Sequence, residues 1–257
     1  MSLLEVQQLT KNFKGLTAIS DVNFAIEKNE LVGLIGPNGA GKTTLFNLLT
    51  GVYKPTEGRI AFESDGNTHT LNTKKTHEIG QLGISRTFQN IRLFKDLTVL
   101  ENVLIGMHGE KTVSMWDTFL RTPRFYESEK RMKEEAMELL SFFDLDRSHT
   151  YRAGNLPYGD QRKLEIVRAL ATNPKLLFLD EPAAGMNANE SRELTHLINQ
   201  VHKNYDIAIV LIEHDMNVIM NIAERIYVLE YGKMIAEGTP EEIKQNEHVI
   251  RAYLGGD

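Results

Sequence analysis

A mostly parallel α/β sheet interrupted by a helical insertion is the fold predicted for this chain of 257 residues. Three observations predict it. The run Gly36-Pro37-Asn38-Gly39-Ala40-Gly41-Lys42-Thr43-Thr44 fits the phosphate-loop pattern GxxxxGK[ST], with a strand-like segment before it and a helix-like one after. A second apolar run, Leu176–Leu179, ends in two acids, Asp180 and Glu181. After residue 160, helix-length and strand-length segments alternate, which is the rhythm of parallel strands covered by helices.

Taken in order, the first third is strand-rich. Val22, Phe24 and Ile26 alternate with polar residues, a period of two. The unbroken apolar run Leu31–Ile35 reads as a buried strand, and Leu45, Phe46, Leu48 and Leu49 follow the glycine run at helical spacing. Gly58–Phe62 is a short strand. Glu63–Thr70, with Asp65-Gly66-Asn67, reads as a turn or hairpin loop, and Ile84–Phe88 as a further strand.

The middle is helical. Val99, Leu100, Val103, Leu104 and Met107 share one face, with Asp96 or Thr98 as cap and Glu101 placed for a capping box. Residues 109–124, with the single Trp116, are less regular. Glu127–Phe143 reads as a long helix whose charges, Glu127 to Glu138, form a solvated face; a partner surface is the other reading. Helices near Gln161–Ala171 and Ala188–His202 alternate with strands at Leu176–Leu179 and Ile207–Ile212.

The chemistry follows from the glycine run. Glycines let the backbone wrap an anion, and successive N–H groups at a helix N-terminus point at its oxygens. Gly36 to Thr44 are therefore the candidate ATP-binding residues. Lys42 would reach the β- and γ-phosphates, and the Thr43 hydroxyl would ligate Mg²⁺. Asp180, at the carboxyl end of a buried strand, would hold that Mg²⁺ through water. Glu181 would orient and deprotonate an attacking water.

Composition sets the frame. Hydrophobic content is 41% and charged content 25%, ordinary for a globular chain, and the net charge of −6 argues against nucleic acid as partner. With no cysteine, disulfides and thiolate metal sites are excluded. The longest apolar run, Ile207–Ile212, is far short of the ~20 residues that span a bilayer. The N-terminus lacks the basic and apolar regions of a signal peptide.

With these residues in view, the chain resembles the ATP-binding subunits of ABC transporters over nearly its whole length. The resemblance implies a P-loop NTPase (RecA-like) core with an N-terminal antiparallel β subdomain and an inserted α-helical subdomain. The core would comprise residues 1–88 and 161–257. The helical subdomain would comprise 89–160 and carry the signature segment. It further implies that Phe13 stacks on adenine, although a packed core Phe fits the same position. Gln89 would contact the metal and couple the site to membrane subunits. His214 would donate to the γ-phosphate and help hold Glu181.

Leu156-Pro157-Tyr158-Gly159-Asp160-Gln161 stands where the family has LSGGQ. Pro157 supplies neither hydroxyl nor N–H, which leaves Gly159 and the helix start behind it to serve the ATP of a second subunit. Asn187 stands where an aspartate is usual. Within the family, Arg86–Gln89, Tyr158–Ile166, DEPAAG from Asp180, IEHDM from Ile212 and the ending Ile250–Gly255 resemble ATPases of branched-chain amino-acid importers. The resemblance implies ATP and Mg²⁺ as cofactors, permease subunits, a second ATPase subunit, and indirectly an extracytoplasmic substrate-binding protein. It places the chain at the cytoplasmic face of the membrane. ATPases for lipopolysaccharide export share its size and motifs; soluble ABC regulators usually have two cassettes or a coiled-coil arm.

Overall fold

The computed structural model describes residues 2–107, 123–214 and 216–254. The reading of residues 109–124 as irregular falls almost wholly outside them. The chain divides into two compact units, one holding the residues up to Arg86 and from Lys175 onward, the other Thr87–Pro174.

The first unit contains two sheets. The antiparallel one has the order β2-β1-β4-β5, from strands β1 (Ser2–Phe13), β2 (Leu16–Glu27), β4 (Glu57–Ser64) and β5 (Asn67–Thr70). The segment Glu63–Thr70, expected as a turn or hairpin loop, is a hairpin whose second strand is Asn67–Thr70, with Ser64 opposite Asn67. Its turn residues Asp65 and Gly66 both have positive φ, 53° and 76°, the conformation that matches strand twist in a two-residue turn.

The second sheet has the order β10-β9-β3-β8-β7-β6, from β3 (Leu31–Ile35), β6 (Ile84–Arg86), β7 (Leu176–Asp180), β8 (Ala208–Ile212), β9 (Arg225–Glu230) and β10 (Lys233–Gly238). All its pairs are parallel except β9 with β10. The central strands β3, β7 and β8 are buried at every position. That burial explains their unbroken apolar runs, since helices cover both faces of a parallel sheet.

Helix α1 (Lys42–Leu49) buries Leu45, Phe46, Leu48 and Leu49 in one core with Leu4 and Phe62 of the first sheet and Val32 and Phe178 of the second. The Phe46 and Phe178 rings meet edge to face at 4.9 Å. The loop before α1 is therefore held by a helix anchored on two sheets. Helices α2 (Thr76–Gln81), α6 (Ala188–Asn204), α7 (Met216–Ile222), α8 (Pro240–Gln245) and α9 (Glu247–Leu254) complete the described part of this unit.

The second unit is built on α3 (Val99–Met107), α4 (Pro123–Phe142) and α5 (Tyr158–Leu170). Val99, Val103, Ala136, Leu140, Phe143, Leu164 and Val167 are buried. The charged face of α4 is solvated, with i,i+4 pairs Lys130–Glu134 and Arg131–Glu135. Helix α5 differs from the expected division: its residues cluster with Thr87–Pro174, whereas that division assigns 161 onward to the core. The reason is packing. A Cβ on Gly106 of α3 would stand 2.6 Å from the Arg168 carbonyl, so α3 and α5 approach to backbone contact.

Candidate functional site

Sheet register sets the site. Leu34 lies opposite Ile212, and Ile212 opposite Asp180, in three adjacent parallel strands. Neighbouring strands lie about 4.8 Å apart, so the three carboxyl ends fall within roughly 10 Å along one sheet edge. From that edge leave the glycine run, the Glu181 segment and the His214 segment.

The glycine run folds tightly. A Cβ on Gly36 would stand 2.0 Å from the Leu229 carbonyl oxygen, so no other residue fits there. Gly41, at φ 106°, turns the chain into α1. The Lys42 ammonium is buried and donates to the Gly36 and Pro37 carbonyls at 2.6 and 3.1 Å. Burial lowers its pKa from the ordinary lysine value, against the opposing pull of Glu181 and Asp180. Thr43 is exposed at the start of the helix.

Asp180 is buried at the end of β7, with Arg86 Nη2 3.8 Å from its carboxylate. Arg86 is itself held by Asn47 and Thr50 of the α1 segment, each at 2.9 Å. Glu181 adopts φ 48°, a left-handed conformation rare outside glycine and costly by about 1–3 kcal/mol, of the kind that collects at reactive sites. Its amide donates to the Ile212 carbonyl at 3.0 Å. Its carboxylate lies 2.5 Å from His214 Nε2. Both side chains line a cleft of about 630 Å³ with Ala184, Met186, Glu213 and Asn217, so solvent reaches them.

Phe13 is 37% exposed at the β1–β2 turn, which excludes the packed-core alternative. Tyr53 meets it edge-on at 5.2 Å, and the Lys11 ammonium lies 4.9 Å from its ring centre. Phe13, Gly36–Thr44, Asp180, Glu181 and His214 all belong to the first unit; Gln89 and Gly159 belong to the second. Gly159 lies in the first turn of α5, which Pro157 caps without a side-chain bond. Asn187 caps α6, where its side-chain oxygen accepts from the Asn189 and Glu190 amides.

Four neighbours receive no role from the sequence: Tyr53, Arg86, Glu213 and Tyr253. Glu213 is buried and accepts from the Ala183 amide at 2.9 Å, tying the Glu181 segment to the His214 segment. Burial first, and Glu181 further, raise its pKa above the usual carboxylate value. Burial raises the Tyr253 hydroxyl pKa, against the opposing effect of the Gly36 backbone beside it. Arg86, Glu213 and Tyr253 stand inside runs that carry the family resemblance, but neither they nor Tyr53 sit in a local pattern that assigns the contact.

The residues 19–184 match the family model of the ABC transporter domain, and 233–257 match the model of branched-chain amino acid ATP-binding cassette transporters. The chain is 45% identical to the high-affinity branched-chain amino acid transport ATP-binding protein LivG of Salmonella typhimurium, over 98% of both chains. It is similar to the solved ADP conformation of MJ1267, an ATP-binding cassette of an ABC transporter, with TM-score 0.83, 32% identity and 99% of both chains covered. It is also similar to a dimeric post-hydrolysis state of the cassette MJ0796 bound to ADP and Pi, with TM-score 0.76, 27% identity, and 92% of this chain and 98% of that one covered. With its phosphate loop, its acidic strand end and its C-terminal segment all matched, the chain belongs to the ATP-hydrolysing, nucleotide-binding subunits of ABC transporters, in the branched-chain amino-acid transport group.

Proposed function

We propose that this subunit hydrolyses Mg²⁺-ATP at the edge of β3, β7 and β8 to drive import of branched-chain amino acids through membrane permease subunits. The observation that carries the chemistry is the Glu181–His214 contact, 2.5 Å, beside a lysine and a buried aspartate. ATP would lay its phosphates along the amides of Gly36 to Thr44, with the adenine against Phe13. Lys42 would exchange its two carbonyl partners for β- and γ-phosphate oxygens. A hydroxyl, an amide oxygen and a carboxylate suit a hard cation, so Thr43, Gln89 and, through water, Asp180 would hold Mg²⁺. The ion supplies neutralisation of the phosphate charge. Glu181 would orient and deprotonate the water in line with the γ-phosphate, and His214 would keep that carboxylate in place.

The roles of Gly159 and of a second ATPase subunit rest on the same reading. Two subunits would pair on ATP, each presenting the α5 N-terminus to the other's γ-phosphate. The dimeric state of MJ0796 supports pairing. The match over 233–257 supports the cargo. Among the described residues no helix is long and apolar enough to cross a membrane. Attachment to the cytoplasmic face would therefore run through the permease, with an extracytoplasmic protein delivering the amino acid.

Glu181→Gln tests the chemistry. It should bind ATP and lose at least about 100-fold in hydrolysis, the scale of a lost general base. Phosphate release near the wild-type rate would refute the assignment. Leucine-stimulated hydrolysis in vesicles holding the co-purified permease would test the cargo, and stimulation by another solute alone would overturn it.

A further inference from the structure

Within the second unit, a buried ion pair grips the main chain around Gln89. Arg162 and Glu165, one turn apart on α5, are 3% and 2% exposed and meet at 3.3 Å. The Arg162 guanidinium donates to the Phe88 carbonyl at 2.9 Å and also to the Gln89 carbonyl. Its Nη2 further donates to the Tyr158 hydroxyl at 3.2 Å. Glu165 accepts from the Arg92 amide at 3.2 Å and from the Phe88 amide. One helix thus binds both polarities of the backbone across Phe88, Gln89 and Arg92.

The same stretch is fastened further along. Asn102 of α3 pairs with both the amide and the carbonyl of Phe94 at 3.0 Å. Gly154 and Ala153 donate to the Lys95 and Leu97 carbonyls at 3.0 and 2.9 Å. The hydrogen bonds of the far half come from neutral groups, with the Arg168 guanidinium 5.5 Å from the Phe94 ring centre. Around Gln89 the backbone is hydrogen-bonded by charged side chains, and their placement is poor for stability alone: Arg162 Nε is buried without a partner. A buried ion pair is often no more stabilising than apolar packing. What the guanidinium and carboxylate add is a fixed place for named carbonyls and amides.

We propose that Arg162 and Glu165 are positioning residues that lock the Gln89 segment to the helix beginning at the signature position, with Tyr158 as the link to that position. Tyr158 replaces a glycine of the usual signature, and its hydroxyl lies in the network that holds the Gln89 carbonyl. A shift of the α5 N-terminus is then transmitted to Gln89 without a change in either backbone's fold. The consequence for turnover rests on the proposed role of Gln89; the clamp itself does not.

The test is hydrogen exchange on the intact chain, without nucleotide, together with ATPase kinetics of the wild type, Arg162→Gln, Arg162→Lys and Tyr158→Phe. Arg162→Gln should speed exchange over residues 87–93 about tenfold and leave α3 and α4 unchanged. Its ATP affinity should stay within about twofold, while kcat falls about tenfold at constant KM, and Arg162→Lys should recover part of both effects. Unchanged exchange over 87–93, or acceleration spread evenly through α3, α4 and α5, overturns the proposal. If Arg162→Gln does not fold, Tyr158→Phe decides, since losing one hydroxyl from a half-exposed ring cannot empty the core. Faster exchange confined to 87–93 then supports the clamp, and none overturns it. Because exchange needs no ATP, a failure of the Gln89 reading would alter the kinetics and leave the exchange result standing.

Discussion

Phe13 ends β1, Tyr53 lies between α1 and β4, and their rings meet edge to face. Phe13 is 37% exposed, and in the proposed function its ring stacks on adenine, a contact that contributes about 1–3 kcal/mol. Phe13→Ala should therefore weaken ATP binding roughly 5- to 150-fold with the melting temperature little changed, as read by nucleotide titration. Glu213 works in the opposite sense, as a group the fold strains to keep charged. Its folded pKa is raised by burial, so between the ordinary and the raised value the native state holds more protons than the unfolded one. Stability from this group consequently falls as pH rises through that window, and the cost is complete above it. Glu213→Gln keeps an oxygen for the Ala183 amide and removes the charge. Its melting temperature should exceed the wild type's at pH 8, with the gap closing below the ordinary carboxylate pKa; a gap independent of pH would contradict the burial argument.

Helix starts are where local sequence and local structure agree best in this protein. Thr98 and Glu101 form a reciprocal box at the start of α3, with the Glu101 amide donating to the Thr98 hydroxyl at 3.2 Å and the Thr98 amide donating to the Glu101 carboxylate at 2.7 Å. The accepted backbone bond lowers the Glu101 pKa. Thr98→Ala should cost about 1 kcal/mol, measured by urea unfolding, because orphan amides at a helix N-terminus are left to water. The phosphate loop is equally local: glycines, a strand before and a helix after. The strand end at Asp180 was legible for the same reason, as an apolar run stopped by acids. Arg162 and Glu165 were not legible. On sequence they are two charges in the Tyr158–Ile166 run that carries the family resemblance, and only the packing of α5 against residues 88–92 gives them a task.

At the scale of the whole molecule, ligand binding should appear as stability. A nucleotide that binds the folded chain at 100 times its Kd adds about 2.7 kcal/mol. For a chain of this size that corresponds to a rise of roughly 5–10 °C in melting temperature. Lys42→Ala should abolish the rise while leaving the unliganded melt near the wild type, since the lysine bonds only loop carbonyls. A rise that persists in the variant would place the nucleotide elsewhere.

By itself the sequence determined the fold class, the phosphate loop, the acidic strand end and the family. Each of these is written in contiguous residues whose backbone needs and burial are local. Tertiary structure alone decided the rest. Register in the six-stranded sheet brought Leu34, Asp180 and Ile212 level. Close packing of α3 on α5 moved the unit boundary to Pro174. Contacts between segments distant in the chain supplied Tyr53, Arg86, Glu213 and the Arg162 clamp. The physical reason is the same throughout: propensity and periodicity act over a few residues, whereas a buried charge is given meaning by whatever the folded chain brings against it.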